Sequence, residues 1–245
     1  MIDFVVGEGI FPASDTIKTV SRTEDRTQTQ LFCPDAHWNP ENFAREQIRG
    51  LVRQVFFSSV ATPVSQVIFC PVESQTEVGH LCRQVGETLA REVHGNVIVV
   101  AREQPILSDM EAPPEERPAT SRPASLPLRQ IATRVARNLW FASENQLGDE
   151  SGEPVTRPSL SGSLTRLRRE FEYSIVEAPP AAESSEVAAL GQLADGTILA
   201  LAAHHTRRVT AYRVKQRLEA VQARILGAVL TERTFPIPER IYRRL

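Results

Sequence analysis

The sequence predicts an α/β protein, a mostly parallel twisted sheet with helices on both faces. Three observations predict it. After Pro63, short apolar runs of strand character alternate with longer stretches of helical period, the pattern that successive strand–helix–strand units leave in a chain. Residues 97–100 form an unbroken β-branched run, which suits a strand buried on both faces. The run Val67-Ile68-Phe69-Cys70 passes through a loop, residues 71–80, directly into a helix; α/β proteins that bind nucleotides keep a glycine-rich phosphate loop at this place.

Each element has its own warrant. Asn39-Pro40-Glu41 reads as a helix start, with a capping residue, a proline at the first helical position and an acid in the first turn. Ala44, Ile48, Leu51, Val52 and Val55 then share one face. Residues 64–70 read as a strand; Val78, Leu81, Cys82, Val85, Leu89 and Val93 keep a helical period. His94-Gly95-Asn96 is a turn before the 97–100 strand. Residues 128–137 read as helix and 139–142 as a short strand. Leu160, Leu164, Leu167 and Phe171 mark another helix, followed by a strand at 173–176, a short helix at 185–193 and a strand at 196–202. Asp195-Gly196 reads as the turn before that strand. Thr206 is placed to cap a helix carrying Ala211, Val214, Leu218 and Val221, and residues 225–230 are the last strand. One α/β domain is expected over residues 39–235. It follows a loosely held arm (1–38), carries mobile insertions near 107–127 and 146–158, and ends in a tail (236–245).

At 245 residues and 41% hydrophobic content the chain can bury one sizeable core. Basic and acidic residues nearly balance, 28 against 30, so net charge implies no nucleic-acid partner. Cys33, Cys70 and Cys82 form no metal pattern and leave one thiol over, which fits a reducing compartment. The longest apolar runs are too short to span a bilayer and no signal pattern is present, so a cytoplasmic location is expected.

Several segments together resemble the bacterial tyrosine kinases (BY-kinases) of capsule and exopolysaccharide synthesis, whose fold belongs with the ParA/MinD-like P-loop ATPases. Glu46-Gln47-Ile48-Arg49-Gly50-Leu51 is similar to the start of the family's Glu-x-x-Arg-x-x-Arg helix, with Val52 at the third motif position and Arg53 beside it. Phe56-Phe57-Ser58-Ser59 resembles the motif that closes that helix. Phe171-Glu172-Tyr173-Ser174-Ile175-Val176-Glu177-Ala178-Pro179-Pro180 resembles Tyr-Asp-Tyr-Val-Ile-Ile-Asp-Thr-Pro-Pro. Ala194 to Leu199 and Ile225 to Thr231 resemble the two strands that follow. The resemblance spans roughly residues 41–233 and implies a P-loop NTPase-like fold. It also implies an assembly role for Glu46, Arg49 and Arg53.

The departures fall on the chemistry. Aligned through Leu89-Ala90, the glycines of the family's phosphate loop fall on Gln75 and Glu77, its lysine on Val78, and its Ser-Thr pair on Gly79-His80. Such a loop works because glycine lets backbone N–H groups converge on phosphate while the lysine neutralises it. The degenerate loop thus comprises Ser74, Gln75, Glu77, Val78, Gly79 and His80. The family's second Walker motif reads Val100-Ala101-Arg102-Glu103, and its Walker B strand ends in Glu177. No tyrosine cluster is visible at the C-terminus, where Tyr242 stands alone.

Glu177, Glu103 and Asp195 are the relic candidates for metal or catalytic work. For each signal a plain structural reading competes. Glu177 reads first as a strand-end carboxylate in solvent. His80 and the His204-His205 pair read first as exposed side chains. Cys70 and Cys82 read as buried apolar residues, and Arg166, Arg168 and Arg169 as a solvated helix face.

The expected function is that of a non-catalytic relative of the tyrosine autokinases, a docking or regulatory module without cofactor. Its partner would be a membrane polysaccharide co-polymerase or an active kinase homologue, holding it peripherally at the inner membrane; homo-oligomerisation through the Glu46 helix is the companion expectation. The alternative is a divergent ATPase or autokinase using ATP and Mg2+, with Glu103, Glu177 and Asp195 as metal ligands and Tyr212 or Tyr242 as phosphorylation sites. A small-molecule enzyme sharing only the topology ranks last, for want of a nucleophile–base pair or a dinucleotide fingerprint.

Overall fold

The computed structural model describes residues 3–6, 40–58, 63–102, 127–146 and 157–232. Within them an eight-stranded sheet runs in the order β1-β8-β7-β2-β6-β3-β5-β4. The strands are β1 (Asp3–Val6), β2 (Gln66–Pro71), β3 (Val97–Ala101), β4 (Thr133–Ala136), β5 (Leu139–Ser143), β6 (Tyr173–Glu177), β7 (Gly196–Ala202) and β8 (Ile225–Thr231). The six from β8 across to β5 are parallel, while β1 and β4 are antiparallel edges. The expected layout, helices over both faces of a mainly parallel sheet, is the one observed.

The strand sequences alternate between two cores because successive side chains point to opposite faces. Val67 and Phe69 of β2 join Val97 and Val99 of β3 in one core, beneath α1 (Pro40–Phe56) and α2 (Gly79–Glu92). Ile68, Cys70, Ile98 and Val100 enter the other. That face is covered by α3 (Leu128–Ile131), α4 (Arg157–Glu170), α5 (Glu186–Leu193) and α6 (Arg208–Ala220). Phe69, Ile68 and Ile98 are fully buried, each contributing about 1.5–3 kcal/mol by leaving water.

Close approach sets one glycine. A β-carbon on Gly86, in the middle of α2, would lie 2.3 Å from Val99 Cγ2, so α2 packs on β3 only where the side chain is missing.

Three expectations are corrected. Residues 128–137 are not one helix. A single helical turn (α3) ends at Ile131, and Thr133–Ala136 pairs antiparallel with β5 as the sheet's edge. The 1–38 segment includes a strand, since β1 lies against β8. Thr206 does not cap α6, whose N-cap is Arg207; instead the Thr206 Oγ1 accepts the Ala202 N–H at 3.0 Å and closes the end of β7. Asn39, the insertions near 107–126 and 147–156, and the tail from 233 onward lie outside the described residues.

Candidate nucleotide-site region

Parallel strands place all their carboxyl ends on one edge, and ligands of open α/β sheets bind there, where the strand order reverses. β2 is that reversal, flanked by β7 on one side and β6 on the other. The loop after β2 and the end of β6 therefore meet. Backbone bonds stitch them together: Ala178 N–H donates to Phe69 O (2.9 Å), Ala181 N–H to Pro71 O (2.8 Å) and Ala182 N–H to Val72 O (3.0 Å). The Ala178-Pro179-Pro180 segment thus runs beside the loop, with Ala178 and Pro179 buried.

The loop is closed on itself. Thr76 N–H donates to Glu73 O at 3.1 Å in a tight turn, and Val72 N–H to Ala200 O at 3.0 Å. Ser74, Gln75 and Glu77 are exposed. Thr76 is buried, and its Oγ1 finds no partner among the described residues. Val78 is 1% exposed and packs into the core under α1 and α2. It is also the N-cap of α2 and makes no side-chain cap bond. His80 is exposed at the start of α2.

Glu177 occupies the space at the helix start. A β-carbon on Gly79 would stand 3.1 Å from Glu177 Oε2, and the same oxygen accepts the Arg102 N–H at 3.1 Å. A carboxylate at this position faces the positive end of the α2 dipole. Arg102 Nε in turn lies 3.5 Å from Glu144 Oε2. Burial pushes the Glu144 carboxyl up, partly offset by the Arg102 charge. The thiol of Cys82, one turn into α2, is pushed well up by burial and then by the negative charge of Glu177. Burial likewise takes the Cys70 thiol to about 12. Neither is a nucleophile at neutral pH.

Among the described residues no cluster of His, Cys, Asp or Glu side chains is placed to hold a metal ion. Asp195 lies at the opposite, amino-terminal edge of the sheet, ahead of β7. There its Oδ2 accepts Ser65 N–H (3.0 Å), Ser65 Oγ–H (2.8 Å) and Gln66 N–H (2.8 Å), and its Oδ1 accepts Arg168 Nη2 (2.7 Å). It is a structural clamp between β2, β7 and α4, which corrects its place among the metal candidates. Glu103 and Tyr242 lie outside the described residues. His204 and His205 do follow β7 at the carboxyl edge and are exposed; His204 has a positive φ of 68°. Tyr212 is 44% exposed on α6.

The assembly candidates sit together on α1. Arg49 pairs with Glu46 of its own helix, and both Arg49 Nε and Arg53 Nε approach Glu92 Oε1 of α2, at 3.6 and 3.7 Å. Sequence reasoning missed Glu92, though an acid in the last turn of a neighbouring helix was in view.

The fold and this edge define a class, the open, mainly parallel α/β sheets with a loop and a carboxylate at the strand-order reversal. Among solved structures the chain is similar to the kinase domain of the Escherichia coli tyrosine kinase ETK, with a TM-score of 0.57 and 14% identity over 79% of each chain. It is similar to the VpsO kinase domain, with a TM-score of 0.54 and 17% identity over 79% of this chain and 98% of that one. It is also similar to cobyrinic acid a,c-diamide synthase from Mycobacterium smegmatis, solved with bound ADP and magnesium, with a TM-score of 0.53 and 14% identity over 74% and 79%. The chain thus shares the fold of bacterial tyrosine kinase domains and of related nucleotide-binding enzymes. No family model and no curated protein matches the sequence. Among the described residues no helix is long and apolar enough to cross a membrane.

Proposed function

We propose that this protein is a non-catalytic relative of the tyrosine autokinases, a docking or regulatory module in capsule or exopolysaccharide synthesis or export. The observation that carries the reading is the Glu177 carboxylate against Gly79. The first turn of α2, which in a phosphate loop receives the nucleotide's anion, already has an anion of the protein's own beside it. Phosphate brought there would meet Glu177 and Glu77 without a lysine. Phosphoryl transfer depends on metal and positive charge placed around the phosphates, and Val78 is turned into the core instead.

A module of this kind acts through contacts. Glu46, Arg49 and Arg53 are proposed as the interface, to an active kinase homologue, to the cytoplasmic end of a membrane polysaccharide co-polymerase or to a second copy. The two arginines pair with Glu92 of α2 in the free protein, and a partner's acid would exchange for Glu92. Location at the inner membrane would then be peripheral.

The second reading, a divergent ATPase or autokinase, is favoured by one feature: Glu177 ends β6 at the carboxyl edge, where its carboxylate would be a candidate ligand for Mg2+. Titration calorimetry with ATP and ADP, with and without Mg2+, separates the two. The pseudo-enzyme reading expects no heat of binding at millimolar nucleotide. Micromolar, Mg2+-dependent binding abolished by Glu177→Ala would replace it with the active reading.

A further inference from the structure

A second charged hollow lies on the opposite edge of the sheet, away from the loop and Glu177. It is a cleft of about 360 Å3 between the amino ends of β2 and β6 and the last turn of α4. Its donors are Arg129, Arg168, Arg169, Asn96 and Ser174. Arg129 is fixed in place: its guanidinium lies over the rings of Trp140 (5.6 Å) and Phe171 (5.5 Å), and its Nε and Nη2 donate to Glu170 O. Arg168 is equally fixed, through Gln66 Oε1 (2.9 Å), Leu193 O (3.2 Å) and Asp195 Oδ1 (2.7 Å). In both, these bonds use Nε and Nη2 and leave Nη1.

The remaining donors are unspent. Arg169 makes no ion pair or hydrogen bond among the described residues. Ser174 is only 2% exposed; its Oγ accepts Gln66 Nε2 at 3.1 Å, and its own O–H has no acceptor among the described residues. A buried hydroxyl with an undonated proton on the wall of a cleft is a binding element awaiting an acceptor. Of the two acids that line the cleft, Glu170 is occupied elsewhere. Glu170 Oε2 accepts Arg129 N–H (3.2 Å) and Oε1 lies 3.7 Å from Arg166. The Glu172 carboxylate lies on Gly95, where a β-carbon would come within 2.0 Å of it.

We propose that this cleft binds a small phosphate monoester. Three guanidiniums converge on the cleft; although Arg168 is paired with Asp195 and Glu170 and Glu172 line the cleft too, the Nη1 groups of Arg129 and Arg168 and the whole of Arg169 are left as donors to an anion. The planar fork of arginine matches phosphate oxygens, and pre-positioned guanidiniums lose little freedom on binding. The Asn96 amide and the Ser174 hydroxyl supply neutral donors for the hydroxyl groups of the esterified portion, and the volume suits one sugar-sized ring.

Calorimetric titration of the full chain at low salt tests it, with glucose 6-phosphate, inorganic phosphate and glucose as probes. The expected result is saturable binding of both phosphates, the ester tighter, and none of glucose. Arg169→Ala should weaken the ester by about tenfold or more with an unchanged urea midpoint. Glu177→Gln, at the far edge, should leave it unaltered. Inorganic phosphate binding as tightly as the ester would overturn the monoester in favour of free phosphate. Absence of saturation at millimolar ester, full affinity in Arg169→Ala, or loss of affinity in Glu177→Gln would overturn the cleft as the site.

Discussion

Glu177 and Gly79 face each other at the carboxyl edge of the sheet, the carboxylate oxygen 3.1 Å from where a β-carbon of residue 79 would stand. Glycine at the first residue of α2 leaves a gap beside the helix start, and the acid that ends β6 extends into it. The helix N-terminus, which has no side-chain cap at Val78, gains a negative charge.

Glu177→Gln should therefore cost stability through charge alone. The amide keeps the size of the side chain and an acceptor for the Arg102 N–H. A loss of about 0.5–1 kcal/mol is expected at low ionic strength, shrinking as salt is added. Urea unfolding at two salt concentrations measures it. An unchanged midpoint at low salt would mean that the carboxylate does not act on the α2 dipole.

Asp195 gives the pH dependence. Burial pushes its carboxyl up, but the bonds from Ser65 and Gln66 and the Arg168 charge outweigh burial and hold it below the usual carboxylate range. A lowered folded-state pKa means that the unfolded chain takes up the proton first. The stabilisation is complete above the unfolded value, about 3.9, and is lost as pH falls through the folded one. Asp195→Ala should cost about 2–3 kcal/mol at neutral pH, by stranding the N–H donors of Ser65 and Gln66. Its deficit relative to the native protein should narrow below about pH 4. Urea midpoints across the acid range decide this; a deficit independent of pH would rule out the ionised carboxylate as its source.

Gly86 tests the packing of α2 on the sheet. Gly86→Ala gains helix propensity but drives a methyl into Val99 Cγ2, 2.3 Å away, so a net loss of about 1–3 kcal/mol is expected. Adding Val99→Ala should recover part of it, giving a coupling of about 0.5 kcal/mol or more in a double-mutant cycle. Additive losses would show that the two sites do not share the strain.

The elements that sequence alone revealed carried a pattern strong enough to survive without neighbours. The Val97-Ile98-Val99-Val100 run reads as a strand buried on both faces, and all four side chains are buried. The stripe Leu81, Cys82, Val85 and Leu89 reads as a helix face and is one. Residues 133–136 carried no such pattern: Thr-Arg-Val-Ala is mostly exposed and becomes a strand because β5 offers it a hydrogen-bonding edge. β1 is likewise a strand by virtue of β8.

The candidate site divides in the same way. That a loop follows β2 into α2 and that an acid ends β6 was readable in the chain. Where their neighbours went was not. Asp195 reads as a turn beside a glycine, and only the parallel pairing of β2 with β7 brings Ser65 and Gln66 to it. Glu177 reads as a strand-end acid, and only the adjacency of β2 and β6 sets it at Gly79. Local periodicity records which face of an element is buried. It does not record which distant strand lies alongside, and in a parallel sheet that adjacency decides which charges meet at each edge.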